Sequence, residues 1–208
     1  MLVVTSMKIF RIIVFFAMVA LPFYASAQGT YDRELRDLVE YEIKEWIYQY
    51  NVIDAILAQN EQHKDITQVD KIRLEKRWQK ERRKSDKSFI KRVLKNDLSQ
   101  YLKRVKLQSK GLYTEIVVID SYGINVGQSD MSANYWQEGK AKWDETFAVN
   151  SYATFIKDVD FDDSTEMFQA EVAFIIIYED APIGVAYVGI NVEELNNDRQ
   201  MNFKRAVQ

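Results

Sequence analysis

The 208-residue chain has no cysteine, one histidine and two prolines. Without cysteine there is no disulfide, no thiol nucleophile and no thiolate metal site. A single histidine excludes a histidine-rich metal centre. His63 lies in a polar stretch between acids and a lysine, reads as a surface residue, and has no Ser–His–Asp pattern around it. Glycine is scarce too, with seven in all and none from Tyr31 to Ser109, and none forms a phosphate-cradling loop. So few prolines and glycines permit long helices. No segment beyond the first 27 residues is long and apolar enough to cross a bilayer. These absences leave no assembled catalytic constellation and no cofactor or metal motif, so the expectation is a protein that is not an enzyme.

The N-terminus is informative. Lys8 and Arg11 supply positive charge, Ile12 to Leu21 supply ten apolar residues, Pro22 ends that helix, and Ala25-Ser26-Ala27 places small side chains where a signal peptidase reads. Ten apolar residues are short against the roughly 20 a span needs. The expectation is a signal peptide over residues 1–27, cleaved after Ala27, and a periplasmic protein. An uncleaved anchor is the alternative, and a start at Met7 would give a more compact signal. The precursor carries 28 basic and 31 acidic residues; losing Lys8 and Arg11 leaves 26 against 31, a mature net charge of −5. That balance argues against a nucleic-acid partner. Hydrophobic content of 47% and aromatic content of 13% mark a folded chain with a real core.

The mature chain divides into two compositional halves. In residues 28–110, Leu35, Leu38, Val39, Trp46, Ile47, Tyr50, Ile53 and Leu57 recur at helical spacing and predict one amphipathic helix. The pattern breaks over Ala58 to Ile66. Thr67 with Asp70 forms a capping-box signature, and Phe89 to Val105 resumes helical spacing before Gly111 closes the half. In residues 111–208, Glu115 to Asp120 is a β-branched strand that turns at Ser121-Tyr122-Gly123, with Ile124 to Ser129 as hairpin partner. Asn134 to Phe147 predicts a short helix and Thr154 to Phe161 alternates loosely. Phe168 to Tyr178 and Ile183 to Val192 are two strong strands joined by a turn over Glu179–Pro182, and the polar tail after Glu194 is a terminal helix or loose segment. Helices first and an antiparallel sheet afterwards make an α+β domain, both halves forming one unit.

In the order of its parts the chain resembles the extracytoplasmic PAS-like sensor modules called Cache or PDC domains. The resemblance rests on Gly111 to Asp120 leading into Gly123-Ile124-Asn125-Val126-Gly127-Gln128-Ser129, on Asn134 to Trp143, on Phe161 to Thr165, and on the closing strand Pro182 to Val192. It implies a small-molecule pocket on one face of the sheet, roofed by Asn134–Phe147. Such modules usually sit between two membrane helices of a sensor kinase, chemoreceptor or cyclase. This chain departs from that plan in carrying no second membrane helix and no output domain, so the expectation is a sensor that signals through a separate membrane-bound receptor of that kind. The resemblance also implies a homodimer through the N-terminal helix.

The expected ligand set is Ser129, Tyr135, Trp136, Lys142, Trp143, Asp162 and Ser164, for an amino acid, amine or small carboxylate. Tyr135, Trp136 and Trp143 offer rigid aromatic walls, and Lys140, Lys142 and Asp144 offer both charges. The competing readings are core packing for the tryptophans and a Lys140–Asp144 pair across one helical turn. Asp162 and Ser164 enter by the resemblance, with an Asp pairing an ammonium. The cluster Asp158, Asp160, Asp162, Asp163 and Glu166 lacks the glycine and distal glutamate of a calcium loop and reads as solvated. Lys76 to Arg92 is strongly basic. It is either a solvated helix face or a contact for anionic headgroups or an acidic partner. It underlies the alternative function, a ligand-free periplasmic interaction protein that regulates a membrane protein through this helix.

Overall fold

The computed structural model describes residues 31–162 and 167–197, with the Asp162 side chain excepted. The expected signal peptide, Asp163, Ser164, Glu166 and the end of the tail lie outside the described residues.

The first helix runs through α1 (Asp32–Leu38), a π-helical stretch (Val39–Ile43) and α2 (Lys44–Ile47). Its buried stripe, Leu35, Val39, Ile43 and Ile47, repeats every fourth residue. On a 3.6-residue turn each such step overshoots by about 40°, so three steps would carry Ile47 off the buried face. The wider π turn absorbs that drift and keeps all four side chains on one line. The continuous helix expected through Leu57 is in fact broken: Gln49 is extended, and α3 (Tyr50–His63) starts afresh with Val52, Ile53 and Ile56 inward. Tyr50, expected on the apolar stripe, is therefore exposed. α3 also continues past Ala58, where the apolar pattern stops. Its polar end has its own partners: Asn60 accepts from the Ser121 N–H and donates to the Ile183 carbonyl, and Gln59 and His63 meet Asp120.

α4 (Gln68–Arg82) begins with the complete Thr67/Asp70 capping box. It buries Trp78 in a second core with Phe89, Ile90, Val93, Ile124 and Tyr135. α5 (Ser88–Leu94) and α6 (Asp97–Gln108) divide the expected Phe89–Val105 helix, because the Asn96 side chain caps the second by accepting from the Ser99 N–H.

The sheet comprises β1 (Tyr113–Asp120), β2 (Asn125–Gln128), β3 (Phe155–Asp162), β4 (Met167–Tyr178) and β5 (Ala181–Asn191). Its order is β2-β1-β5-β4-β3, antiparallel throughout, which makes the α+β, PAS-like architecture that the resemblance implies. The β4–β5 turn is tighter than expected: Tyr178 pairs with Ala181, and only Glu179 and Asp180, both left-handed, lie between them. Residues 192–197 are helical.

Strand alternation divides the sheet into two faces. Ile116, Val118, Ala170, Val172, Phe174, Ala186, Val188 and Ile190 pack with the first helix, α3 and α6 in the main core. Val117, Ile119, Ala173, Val185 and Tyr187 face the other way, under Trp143, Phe147 and Phe155. That cover is lighter than the helix expected over Asn134–Phe147. Only α7 (Ala141–Asp144) and a single 3-10 turn at Phe147–Val149 form there. The backbone of 134–137 is committed elsewhere: the Tyr135 and Trp136 N–H groups donate to Glu75, Tyr135 O accepts from Asn125, and Gln137 N–H donates to Gly123 O.

Candidate ligand cleft on the roofed face of the sheet

The cleft floor follows from strand register. Gly189 on β5 pairs with Glu115 on one side and Glu171 on the other, so a residue without a side chain lies between two inward glutamates. A Cβ at Gly189 would lie 2.3 Å from Thr114 Oγ1 and 3.3 Å from Gln169 Oε1, so only glycine keeps this strand under its neighbours. Thr114 Oγ1 and Gln169 Oε1 are 2.6 Å apart and hydrogen-bonded. One row along, Tyr187 pairs with Val117 and Ala173, and its ring forms the next part of the floor.

The roof is α7. Trp143 is buried and stacks on Phe147 at 4.5 Å, over the apolar half of this face. Its neighbour Lys142 places Nζ 3.1 Å from the centre of the Tyr187 ring and 4.0 Å from Glu171. Lys142 therefore binds the roof to the floor by a cation–π contact and an ion pair. Glu171 is shared with Lys157 of β3 at 3.3 Å. Beside this contact lies an open cleft of about 450 Å³, whose wall is completed by Arg82, Lys106, Asp130, Met131 and Ala133. Lys106 pairs with Asp130 at 2.7 Å. Arg82 donates through Nη1 to the Ala133 carbonyl and to Gln79, while its buried Nε has no hydrogen-bond partner among the described residues.

The cleft thus holds three cations (Arg82, Lys106 and Lys142) and three carboxylates (Glu115, Asp130 and Glu171) around an aromatic ring and an amide. Its volume lies within the range of small-molecule sites. Placed charges of both signs can hold a molecule that itself carries both.

Of the residues expected from sequence, Lys142 lines the cleft and Trp143 roofs the adjoining apolar face. Ser129 ties β2 to β1: its Oγ accepts from Ile116 N–H and donates to Asp130, which lines the cleft. Tyr135 and Trp136 are not brought together with Trp143; they belong to the second core, where Tyr135 stacks on Trp78 at 5.2 Å and meets Phe89 edge-on. Burial, and then the Asp120 carboxylate, push the Tyr135 phenol well above its ordinary range, so it stays neutral. Asp162 closes β3 opposite Met167, and Ser164 lies outside the described residues. Lys140 and Asp144 do not pair through their side chains; Asp144 instead accepts from the Gly139 N–H. Among the described residues no acidic or histidine cluster is arranged to hold a metal ion.

Sequence reading missed Arg82, Lys106, Glu115, Gln169, Glu171 and Tyr187. A signal for three of them was present: Glu115, Gln169 and Glu171 interrupt apolar strands at positions that alternate onto one face. His63, read as a surface residue, is half-buried and engaged. Its Nδ1 lies 2.6 Å from Oδ2 of the fully buried Asp120, which also accepts from Gln59, and the Tyr122 ring stands edge-on to the imidazole.

No protein-family model and no curated protein matches the chain. Among solved structures it is similar to the sensor domain of the V. cholerae histidine kinase DctB, at 15% identity and a TM-score of 0.44, over 80% of this chain and 55% of that one. It is similar to a domain of a putative sensory box/GGDEF family protein from Vibrio parahaemolyticus, at 10% identity and a TM-score of 0.42, over 77% and 54%. The ligand-binding domain of the Campylobacter jejuni chemoreceptor Tlp3, in complex with 4-methylisoleucine, is similar at 16% identity and a TM-score of 0.37, over 74% and 65%. The chain spans a little over half of the first two and under two thirds of the third.

Proposed function

We propose that this protein is an exported sensor module that binds a small zwitterion of the amino-acid class and passes its signal to a separate membrane-bound sensor kinase, chemoreceptor or cyclase. The observation that supports this reading is the cleft floor, Glu115–Gly189–Glu171, facing a wall that carries Arg82 and Lys106 and a roof that carries Lys142. An ammonium group fits between the floor carboxylates and a carboxylate group fits the cationic side. Tyr187 supplies the apolar wall for a side chain. Occupancy competes for Lys142, which joins α7 to Tyr187 and Glu171, so binding is coupled to the position of the roof. A ligand shifts that equilibrium only by its differential affinity for the two roof positions. Two copies are expected to pack through the first helix, on the side of the exposed Tyr41 and, just past its end, Tyr48, which light scattering of the purified protein tests.

The test is a thermal-shift and calorimetric series with amino acids, amines and small carboxylates. At about 100 Kd a true ligand stabilises the fold by about 2.7 kcal/mol. An amino acid is expected to bind, and Glu171→Gln and Lys106→Gln are expected to weaken it by separate routes, loss of a partner for its ammonium and loss of a partner for its carboxylate. A series in which no compound shifts wild type, or in which binding is untouched by both substitutions, would overturn the reading.

A further inference from the structure

The most polarised feature of the molecule lies outside the cleft. Between Lys71 and Lys95 there are twelve Lys and Arg residues against three acids, a net of +9 on a chain of formal charge −3, which leaves −12 on the rest. Two of the three acids face inward. Glu75 accepts from the Tyr135 and Trp136 N–H groups, and Glu81 accepts from those of Phe89 and Ile90 while holding Arg77. Lys71 pairs with Glu138 and Arg73 with Asp70. Lys76, Lys80, Arg83, Lys84, Lys91, Arg92 and Lys95 are exposed, apart from those pairs, and make no ion pair among the described residues.

Helical spacing sets Val69, Ile72, Arg73, Lys76, Lys80 and Arg83 on the outer side of α4, opposite Trp78 and Glu81. Val69 and Ile72 keep 64% and 39% of their surface exposed, at the start of the row of cations. The last turn adds a recess of about 530 Å³ lined by Lys76, Arg77, Lys80 and Lys84 with Glu81 and Asp86, large enough for a phosphate headgroup. We propose that this outer face of α4 docks the protein onto an anionic phospholipid surface.

Three observations favour lipid over an acidic protein. Aliphatic side chains share the face with the cations, the composition of an interfacial helix. Of the unpaired cations on α4 and just past its end, Lys76, Lys80, Arg83 and Lys84, three are lysines, point charges suited to a diffuse field of phosphates rather than to the fixed geometry of protein carboxylates. The −12 on the rest of the chain is repelled by the same surface, which favours approach by this face. The inference does not depend on the cleft binding a ligand.

The test is co-sedimentation of the full chain with vesicles of phosphatidylcholine alone and of phosphatidylcholine mixed with phosphatidylglycerol. The apolar run of residues 12–21 is common to every arm, so the comparison is between variants. Wild type should bind the phosphatidylglycerol vesicles more tightly, with the excess lost as salt is raised. Lys76→Glu, Lys80→Glu and Arg83→Glu together should remove that excess. At about fivefold per cation the loss is at least about a hundredfold, while melting temperature stays unchanged because all three side chains are exposed. Val69→Ser with Ile72→Ser should weaken binding and keep its salt dependence. Equal binding by wild type and the triple variant overturns the proposal. So does polyglutamate that displaces the protein from vesicles at matched charge, which would assign the face to an acidic protein partner.

Discussion

Replacing Asp120 gives the sharpest energetic test of how the helices are fastened to the sheet. Its carboxylate is fully buried at the end of β1. Oδ1 accepts from the Tyr122 and Ile124 N–H groups, both at 2.9 Å, and Oδ2 accepts from Gln59 at 2.8 Å and faces His63 Nδ1 at 2.6 Å. Asp120→Ala strands all four groups. Ile124 is completely buried, and its orphaned N–H costs about 1–3 kcal/mol. Tyr122, Gln59 and His63 are half-buried and recover part of their loss to water. The total is about 3–4 kcal/mol, one fully orphaned donor and three partly rewetted ones. Asp120→Asn keeps an oxygen for the two backbone donors. Its new NH2 can donate to the imidazole in its other tautomer and to Gln59 once that amide turns over, at the expense of the long Gln59 bonds to the Ile124 and Asn125 carbonyls, so it should cost only about 1–2 kcal/mol. Urea denaturation should separate the two variants at constant m-value. In a thermal scan the alanine variant should fall by about 6–16 °C, at about 2–4 °C per kcal/mol for a chain of this size. Equal losses for Asn and Ala would refute the argument, because the turn bonds would then carry no weight.

Glu81 gives a pH dependence of defined sign. Burial acts to raise its carboxyl, but Arg77 and the Ile90 and Phe89 N–H groups outweigh burial and hold it below the usual glutamate range. Its stabilisation is therefore full above the unfolded-state value and is lost as pH falls through the lowered folded value. Melting temperature against pH should show wild type and Glu81→Gln converging in acid, and a gap that widens there instead would contradict it. Trp143→Ala removes the buried roof residue and its stack on Phe147; a loss of about 3–5 kcal/mol by denaturant unfolding is expected. Thr67→Ala opens the α4 capping box and should cost about 1 kcal/mol in the same assay, with Thr67→Ser nearly neutral.

The sheet was legible because its strands are long, β-branched and apolar on the helix side, and the capping box marked the α4 start by local chemistry alone. The break at Gln49 was not legible: the stripe on either side has helical spacing, and only packing against the sheet shows that it changes phase. The end of α3 was misread for a related reason. Gln59, Asn60 and His63 interrupt an apolar pattern, yet each meets a polar group on the β1–β2 turn or the start of β5, a pairing between residues some 60 to 120 positions apart in the chain. For the cleft, the aromatic segment contains Lys142, which lines it, and Trp143, which covers the apolar face beside it. Tyr135 and Trp136 sit apart from it, in the second core, with their backbone held by Glu75 on α4. The floor needed register, because Glu115 and Glu171 become neighbours of one glycine only when three strands are paired.

The two coverings of the sheet differ in what it takes to lift them. On one side sixteen residues of first helix, then α3 and α6, interlock with a continuous apolar layer, and separating them amounts to unfolding the protein. On the other, a four-residue helix with one tryptophan and one lysine can part from the strands as a small local unit, leaving the rest standing. Amide exchange should accordingly be fast in α7 and slow in β5, and any molecule that works on this protein by gentle means will be felt first on the thin side.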